Sequence, residues 1–110
     1  MKALTLTGTG GLDHLRLQDL PAPGIGAPDE VLVRVRCAAL NRLDLWMTGG
    51  LPNAKPSFPH VVGSDGAGEV EAAGAAAGPW QQGDRVLINP GLSCGHCGAC
   101  EEGEESLCSS

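Results

Sequence analysis

Leu4 and Leu6 alternate with Thr5 and Thr7 at the start of the chain, and Leu15 and Leu17 flank Arg16 a few residues later. A period of two predicts half-buried strands over Met1 to Thr7 and Leu12 to Leu20, joined by the turn Gly8-Thr9-Gly10-Gly11. A connector rich in Pro and Gly, from Pro21 to Pro28, leads into Glu30-Val-Leu-Val-Arg-Val-Arg36. There Val31, Val33 and Val35 face one way, which makes this the clearest strand of the chain. At Asn41 the period changes. Asn41 is a good N-cap, Asp44 falls near the positive end of the helix dipole, and Leu40 and Leu45 occupy the staple positions. A short helix is expected from about Arg42 to Thr48, stopped by Gly49-Gly50. Leu51 to Pro59 carries three prolines and reads as a loop. Further strands are expected near Gly68 to Ala73 and Asp84 to Asn89, separated by the small-residue turn Gly74 to Gly83. No internal repeat is present.

Short strands, turns rich in Gly and Pro and one short helix predict a mainly β, barrel-type domain. At 110 residues the chain is one small domain or part of one. With two Trp, one Phe and no Tyr, its core must be aliphatic. The formal charge is −6 and the seven basic residues are scattered from Lys2 to Arg85, so no basic stripe exists and nucleic acid is not an expected partner. Thr5, Thr7 and Gly8 interrupt the first apolar residues before a signal sequence can form, and no apolar run is long enough to cross a membrane. The expected setting is the cytoplasm, with no membrane partner. Thiols stay reduced there, and clustered cysteines hold metal more often than they form disulfides.

That clustering is pronounced at the end of the chain, where glycines and four cysteines break any strand alternation. The spacing Cys94-x2-Cys97-x2-Cys100-x7-Cys108 brings four soft ligands onto one compact lobe, residues 91–108, as a tetrahedral zinc site requires. Gly95, Gly98 and Gly103 let the backbone bend tightly between them. Two disulfides are awkward for successive x2 spacings. An iron-sulfur cluster would favour a fourth cysteine after three residues and followed by Pro, whereas Cys108 follows after seven and precedes Ser109. Four thiolates complete a zinc shell, so His96 reads as a solvent-facing loop residue. Glu101, Glu102, Glu104 and Glu105 read as a solvated face, with a basic partner surface as the minor alternative. Cys37, apart from the cluster, reads as a small buried apolar residue.

Taken in order, Glu30-Val-Leu-Val-Arg-Val, Ala39-Leu-Asn-Arg-Leu-Asp44, Pro59-His-Val-Val-Gly-Ser-Asp-Gly-Ala-Gly-Glu-Val70, Gly83-Asp-Arg-Val86 and the cysteine lobe resemble a known family. It is the N-terminal GroES-like domain of medium-chain zinc-type alcohol dehydrogenases and their quinone oxidoreductase relatives. The resemblance implies a partial GroES-like domain over residues 1–110, with one structural zinc on Cys94, Cys97, Cys100 and Cys108. It also implies a parent enzyme that transfers hydride with NAD(P). The Rossmann cofactor domain is expected to be absent from this chain, since neither Gly8-Thr9-Gly10-Gly11 nor Gly63 to Gly68 fits G-x-G-x-x-G within a βαβ unit.

The departures from the family pattern set the expected chemistry. Zinc-dependent members place Cys where this chain has Asn41 and His where it has Ser64, and an amide and a hydroxyl are poor substitutes for thiolate and imidazole. The catalytic zinc is therefore expected to be lost. Asn41, Asp44 and Asp65 become the candidate catalytic groups, orienting a conjugated carbonyl or quinone by hydrogen bonds. Capping accounts for Asn41 and Asp44 equally well, a turn accounts for Ser64 and Asp65, and His60 reads as structural. The expected partners of the parent are a small carbonyl substrate, the missing cofactor domain and further copies in a homo-oligomer. The rival readings are a conventional zinc-dependent alcohol dehydrogenase and, from a different class, a free-standing zinc-stabilised binding module.

Overall fold

The computed structural model describes residues 1–52 and 54–109; Asn53, inside the expected proline loop, and Ser110 lie outside the described residues. Six strands form among the described residues: β1 (Lys2–Leu6), β2 (Leu15–Asp19), β3 (Val31–Ala39), β4 (His60–Val61), β5 (Asp65–Ala73) and β6 (Arg85–Ile88). Helix α1 (Arg42–Gly49) separates β3 from β4, and the cysteine lobe adds the single turn α2 (Gly98–Glu101). The strands make two three-stranded sheets, ordered β2-β1-β4 and β3-β5-β6, and every pairing is antiparallel. The mainly β expectation holds.

In the first sheet β1 is central, which alters the meaning of its alternation. Leu6 and Thr5, which point to opposite faces of the sheet, are both fully buried, so both faces of β1 are covered at this end. The Thr5 hydroxyl remains satisfied by donating to Gln18 Oε1 at 2.7 Å. Edge strand β2 starts later than its pattern indicates, since Leu12–His14 forms a turn of 3-10 helix. Leu17 on this strand is exposed rather than half-buried. Strand β4 was not anticipated: two residues are too short for a period, and they pair only because Thr5 and Leu6 lie opposite Val61 and His60. His60 thus has the structural place expected of it.

The second sheet is organised by β5, which runs between β3 and β6 and buries Val70 against them. It starts three residues before the expected Gly68, because Gly66 and Gly68 allow an approach that side chains would forbid. A Cβ on Gly68 would collide with the Arg34 carbonyl and lie 2.9 Å from Val33 Cγ1. On one face Arg34 meets Glu71 at 2.8 Å and Arg36 meets Glu69 at 3.1 Å. A register shift between Val35 and Cys37 leaves Arg36 as the extra residue and puts Cys37 opposite Ala67. This corrects the expectation for Cys37, which is exposed beside the ion pairs rather than buried. Leu87, opposite Ala67 on β6, is 85% exposed.

Gly68→Ala is expected to destabilise the chain by about 1–3 kcal/mol, the usual cost of forcing extra volume into closely packed surroundings. Denaturant unfolding measures it, and an unchanged midpoint would show that β3 and β5 separate freely.

Candidate functional site

The cysteine lobe depends on two tight turns that sequence spacing makes available and backbone geometry completes. Gly95 and Gly103 adopt φ of 75° and 80°, a conformation costly for residues with a Cβ. The ligand sulfurs of Cys94, Cys97, Cys100 and Cys108 all lie within 4.8 Å of one another. Sγ of Cys100 is 3.5 Å from that of Cys97 and 3.9 Å from that of Cys94. Metal-sulfur bonds of about 2.3 Å in a regular tetrahedron place neighbouring sulfurs about 3.8 Å apart. The spacing therefore suits a metal ion, and all four thiols are free of disulfides. The four residues predicted as ligands are the four brought together.

Backbone amides prepare these sulfurs for negative charge. The Cys94 N–H donates to Cys108 Sγ at 3.3 Å, and the Cys97 N–H to Cys94 Sγ at 3.3 Å. Cys97 is lowered from 9.0 to about 6, chiefly by the backbone N–H of Cys100, then by that of Ser109 and by the Cys100 and Cys94 side chains. Cys94 is also lowered, first by the His96 backbone N–H, whereas burial raises Cys100. Spacing alone carries no sign of these donors. His96 is exposed, with Nδ1 2.7 Å from the Cys94 carbonyl oxygen. The four glutamates of the lobe are exposed, as expected of a solvated face.

The second group of candidates gathers where α1 meets the β4–β5 turn. Asn41 Oδ1 accepts from the Leu43 N–H at 2.8 Å, and Asp44 Oδ2 accepts from the Asn41 N–H at 2.8 Å, a reciprocal cap. Asp44 Oδ1 accepts from the Gly63 N–H at 2.7 Å. Asn41 Nδ2 donates to Asp65 Oδ2 at 2.9 Å, a contact across 24 residues that no local pattern announces. Asn41, Asp44 and Asp65 thus form one network. Asn41 and Asp44 border an apolar groove of about 320 Å³ with Leu4, Leu40, Leu45 and Val62. Ser64 and Asp65 border its neighbour, of about 380 Å³.

Gly8 to Gly11 lies between antiparallel strands and Gly63 to Gly68 runs into β5, so neither glycine run opens a helix after a parallel strand.

A mainly β domain with a capped helix and a four-cysteine lobe defines a recognisable class, and comparison with known proteins supplies the family. Residues 27–110 match the alcohol dehydrogenase GroES-like domain, and the chain belongs to that family. It is 36% identical to sorbitol dehydrogenase of Bacillus subtilis over 110 residues, covering 98% of this chain and 30% of that protein. A solved NAD-dependent alcohol dehydrogenase superposes with a TM-score of 0.88 at 47% identity, over 99% of this chain and 32% of its own. A quinone oxidoreductase of Pseudomonas syringae pv. tomato superposes at 0.70 with 35% identity, over 78% and 26%. The chain thus spans about a third or less of the length of these relatives.

The depressed pKa of Cys97 gives a test. Its folded value lies below its unfolded one, so the associated stabilisation is complete above about pH 9 and is lost as pH falls through about 6. In metal-free protein at pH 7, Cys97 should alkylate fastest of the four clustered thiols, and its rate should fall with a midpoint near pH 6. Mass spectrometry of iodoacetamide-labelled peptides measures this. Uniform labelling of all four would refute the amide-donor arrangement.

Proposed function

We propose that this chain is the N-terminal part of an NAD(P)-dependent oxidoreductase that keeps one structural zinc and has no catalytic zinc, and whose parent reaction is hydride transfer to a conjugated carbonyl or quinone. The observation carrying this reading is the donor set at the Asn41 network. An open catalytic zinc takes three protein ligands of thiolate, imidazole or carboxylate type. Here Asn41 offers an amide whose oxygen already caps α1, Ser64 offers a hydroxyl, and both Asp44 oxygens accept backbone N–H groups. Of the four, only Asp65 keeps a carboxylate oxygen that accepts no hydrogen bond among the described residues. Without a Lewis acid, alcohol oxidation lacks the usual means of lowering the hydroxyl pKa, whereas a conjugated carbonyl is already polarised and needs only hydrogen-bond donors.

The cysteine lobe belongs to stability in this reading. Four thiolates leave no open position for substrate, which is the mark of a structural site. A conventional alcohol dehydrogenase is the competing reading, favoured by the 47% identity to a solved NAD-dependent alcohol dehydrogenase. Metal content and substrate preference separate the two.

The purified 110-residue chain should hold close to one zinc, and Cys94→Ser or Cys108→Ser should release it with much of the thermal stability, since such sites contribute about 10–16 kcal/mol of apparent binding energy in small peptides. Iron, or no metal with two disulfides under reducing conditions, would overturn the zinc assignment. By itself the chain should bind neither NADH nor NADPH in calorimetry; tight saturable binding would contradict that. The full-length protein should carry one zinc per subunit and reduce an enone or quinone faster than it oxidises a primary alcohol. Two zincs with chelator-sensitive alcohol oxidation would establish the competing reading.

A further inference from the structure

The three candidate groups of the network are not equivalent, and their hydrogen bonds separate them. Asp44 has an N–H on each oxygen, from Asn41 and from Gly63. Asp65 is a carboxylate and can only accept unless protonated. Neither is suited to an oxygen gaining negative charge. Asn41 is different because its side-chain amide has two N–H groups. One goes to Asp65 Oδ2, and the other has no acceptor among the described residues.

The orientation of that amide is determined from both ends. The Leu43 N–H demands an oxygen at 2.8 Å, and the Asp65 carboxylate demands an N–H at 2.9 Å. A flipped amide would lose both bonds and set its oxygen against the carboxylate. The free N–H therefore has a defined place beside a groove whose other walls include Leu4, Leu40, Leu45 and Val62. Apolar walls with one oriented donor suit a carbonyl on a hydrocarbon body.

We propose that Asn41 is the catalytic hydrogen-bond donor to the substrate carbonyl oxygen, and that Asp65 is a positioning residue that locks its amide. The assignment rests on the carbonyl-reductase reading and gives each network member a distinct task. Asp44 holds the cap and the Gly63 turn, Asp65 aims the amide, and Asn41 meets the ligand.

Asn41→Ser and Asn41→Asp test it cleanly, because Ser and Asp are N-caps comparable to Asn and so preserve α1. In the full-length protein, Asn41→Ser should keep the thermal midpoint while kcat/KM for an enone falls about 100-fold, the usual loss for one oxyanion donor. Asn41→Asp should be equally impaired at neutral pH and recover as pH falls. Two facing carboxylates raise one pKa, and the protonated form regains a donor. The charged groups around that pair are Asp44 on α1, and the Met1 amino group and Lys2 at the start of the chain, which border the Asp65 groove, Lys2 lying 3.5 Å from Asp19. A capping role alone would give no acid recovery.

A readout independent of activity comes from nitrogen-edited NMR of the 110-residue chain. One Asn41 side-chain proton should be shifted downfield and protected from exchange, and Asp65→Ala should abolish both effects. Wild-type kcat/KM in Asn41→Ser, or equivalent amide protons in the wild type, would overturn the proposal alone. A full-length protein that reduces no enone or quinone would overturn the reading beneath it as well.

Discussion

Asp44 joins three parts of the molecule through two backbone hydrogen bonds. One oxygen accepts from the Asn41 N–H, where β3 gives way to α1. The other accepts from the Gly63 N–H, in the turn between β4 of the first sheet and β5 of the second. Gly63 adopts φ of 91°, so this turn depends on a residue without a Cβ. A single carboxylate thus ties the start of the helix to the turn that leads from one sheet to the other. Charge-assisted bonds of this kind are stronger than neutral ones. The alignment of Asn41 with Asp65 follows from that junction.

The cysteine lobe solves a separate problem by a related means. A segment with so many glycines has too little apolar surface to order itself, and neither of its helical turns fully buries a residue. Four sulfurs within 4.8 Å of one another are close enough to share one metal ion, which would order the lobe where a core is missing. Backbone N–H groups from Cys94 and Cys97 point at sulfurs and offset part of the thiolate repulsion. In both places backbone amides stabilise anionic side chains. At the network those side chains are carboxylates that organise an amide, and in the lobe they are sulfurs gathered within 4.8 Å of one another.

The exposed surface of the second sheet fits the same account. Arg34, Arg36, Glu69 and Glu71 cover one part of it with ion pairs, while Cys37, Ala67 and Leu87 continue it as an apolar strip. The relatives that share this domain are about three times as long or more.

Much of this was legible in the chain itself, for local reasons. The x2, x2, x7 spacing restricts four thiols to one small volume, so the cluster of four could be named from the chain alone. Asn41 and Asp44 form a cap because their separation is one turn of helix, and the Val31-Val33-Val35 alternation marks β3 because a strand has period two. What required tertiary structure were contacts distant in sequence. Thr5 and Leu6 are both buried although they point to opposite faces of β1, Cys37 is exposed together with all of β3 from Arg34 onward, and β4 exists only through its pairing with β1. The Asn41–Asp65 bond belongs to this second group, since it spans 24 residues and two elements. Sequence could name both residues, but only the fold could show which amide N–H remains free, because hydrogen-bond capacity depends on all the neighbours a side chain finally meets.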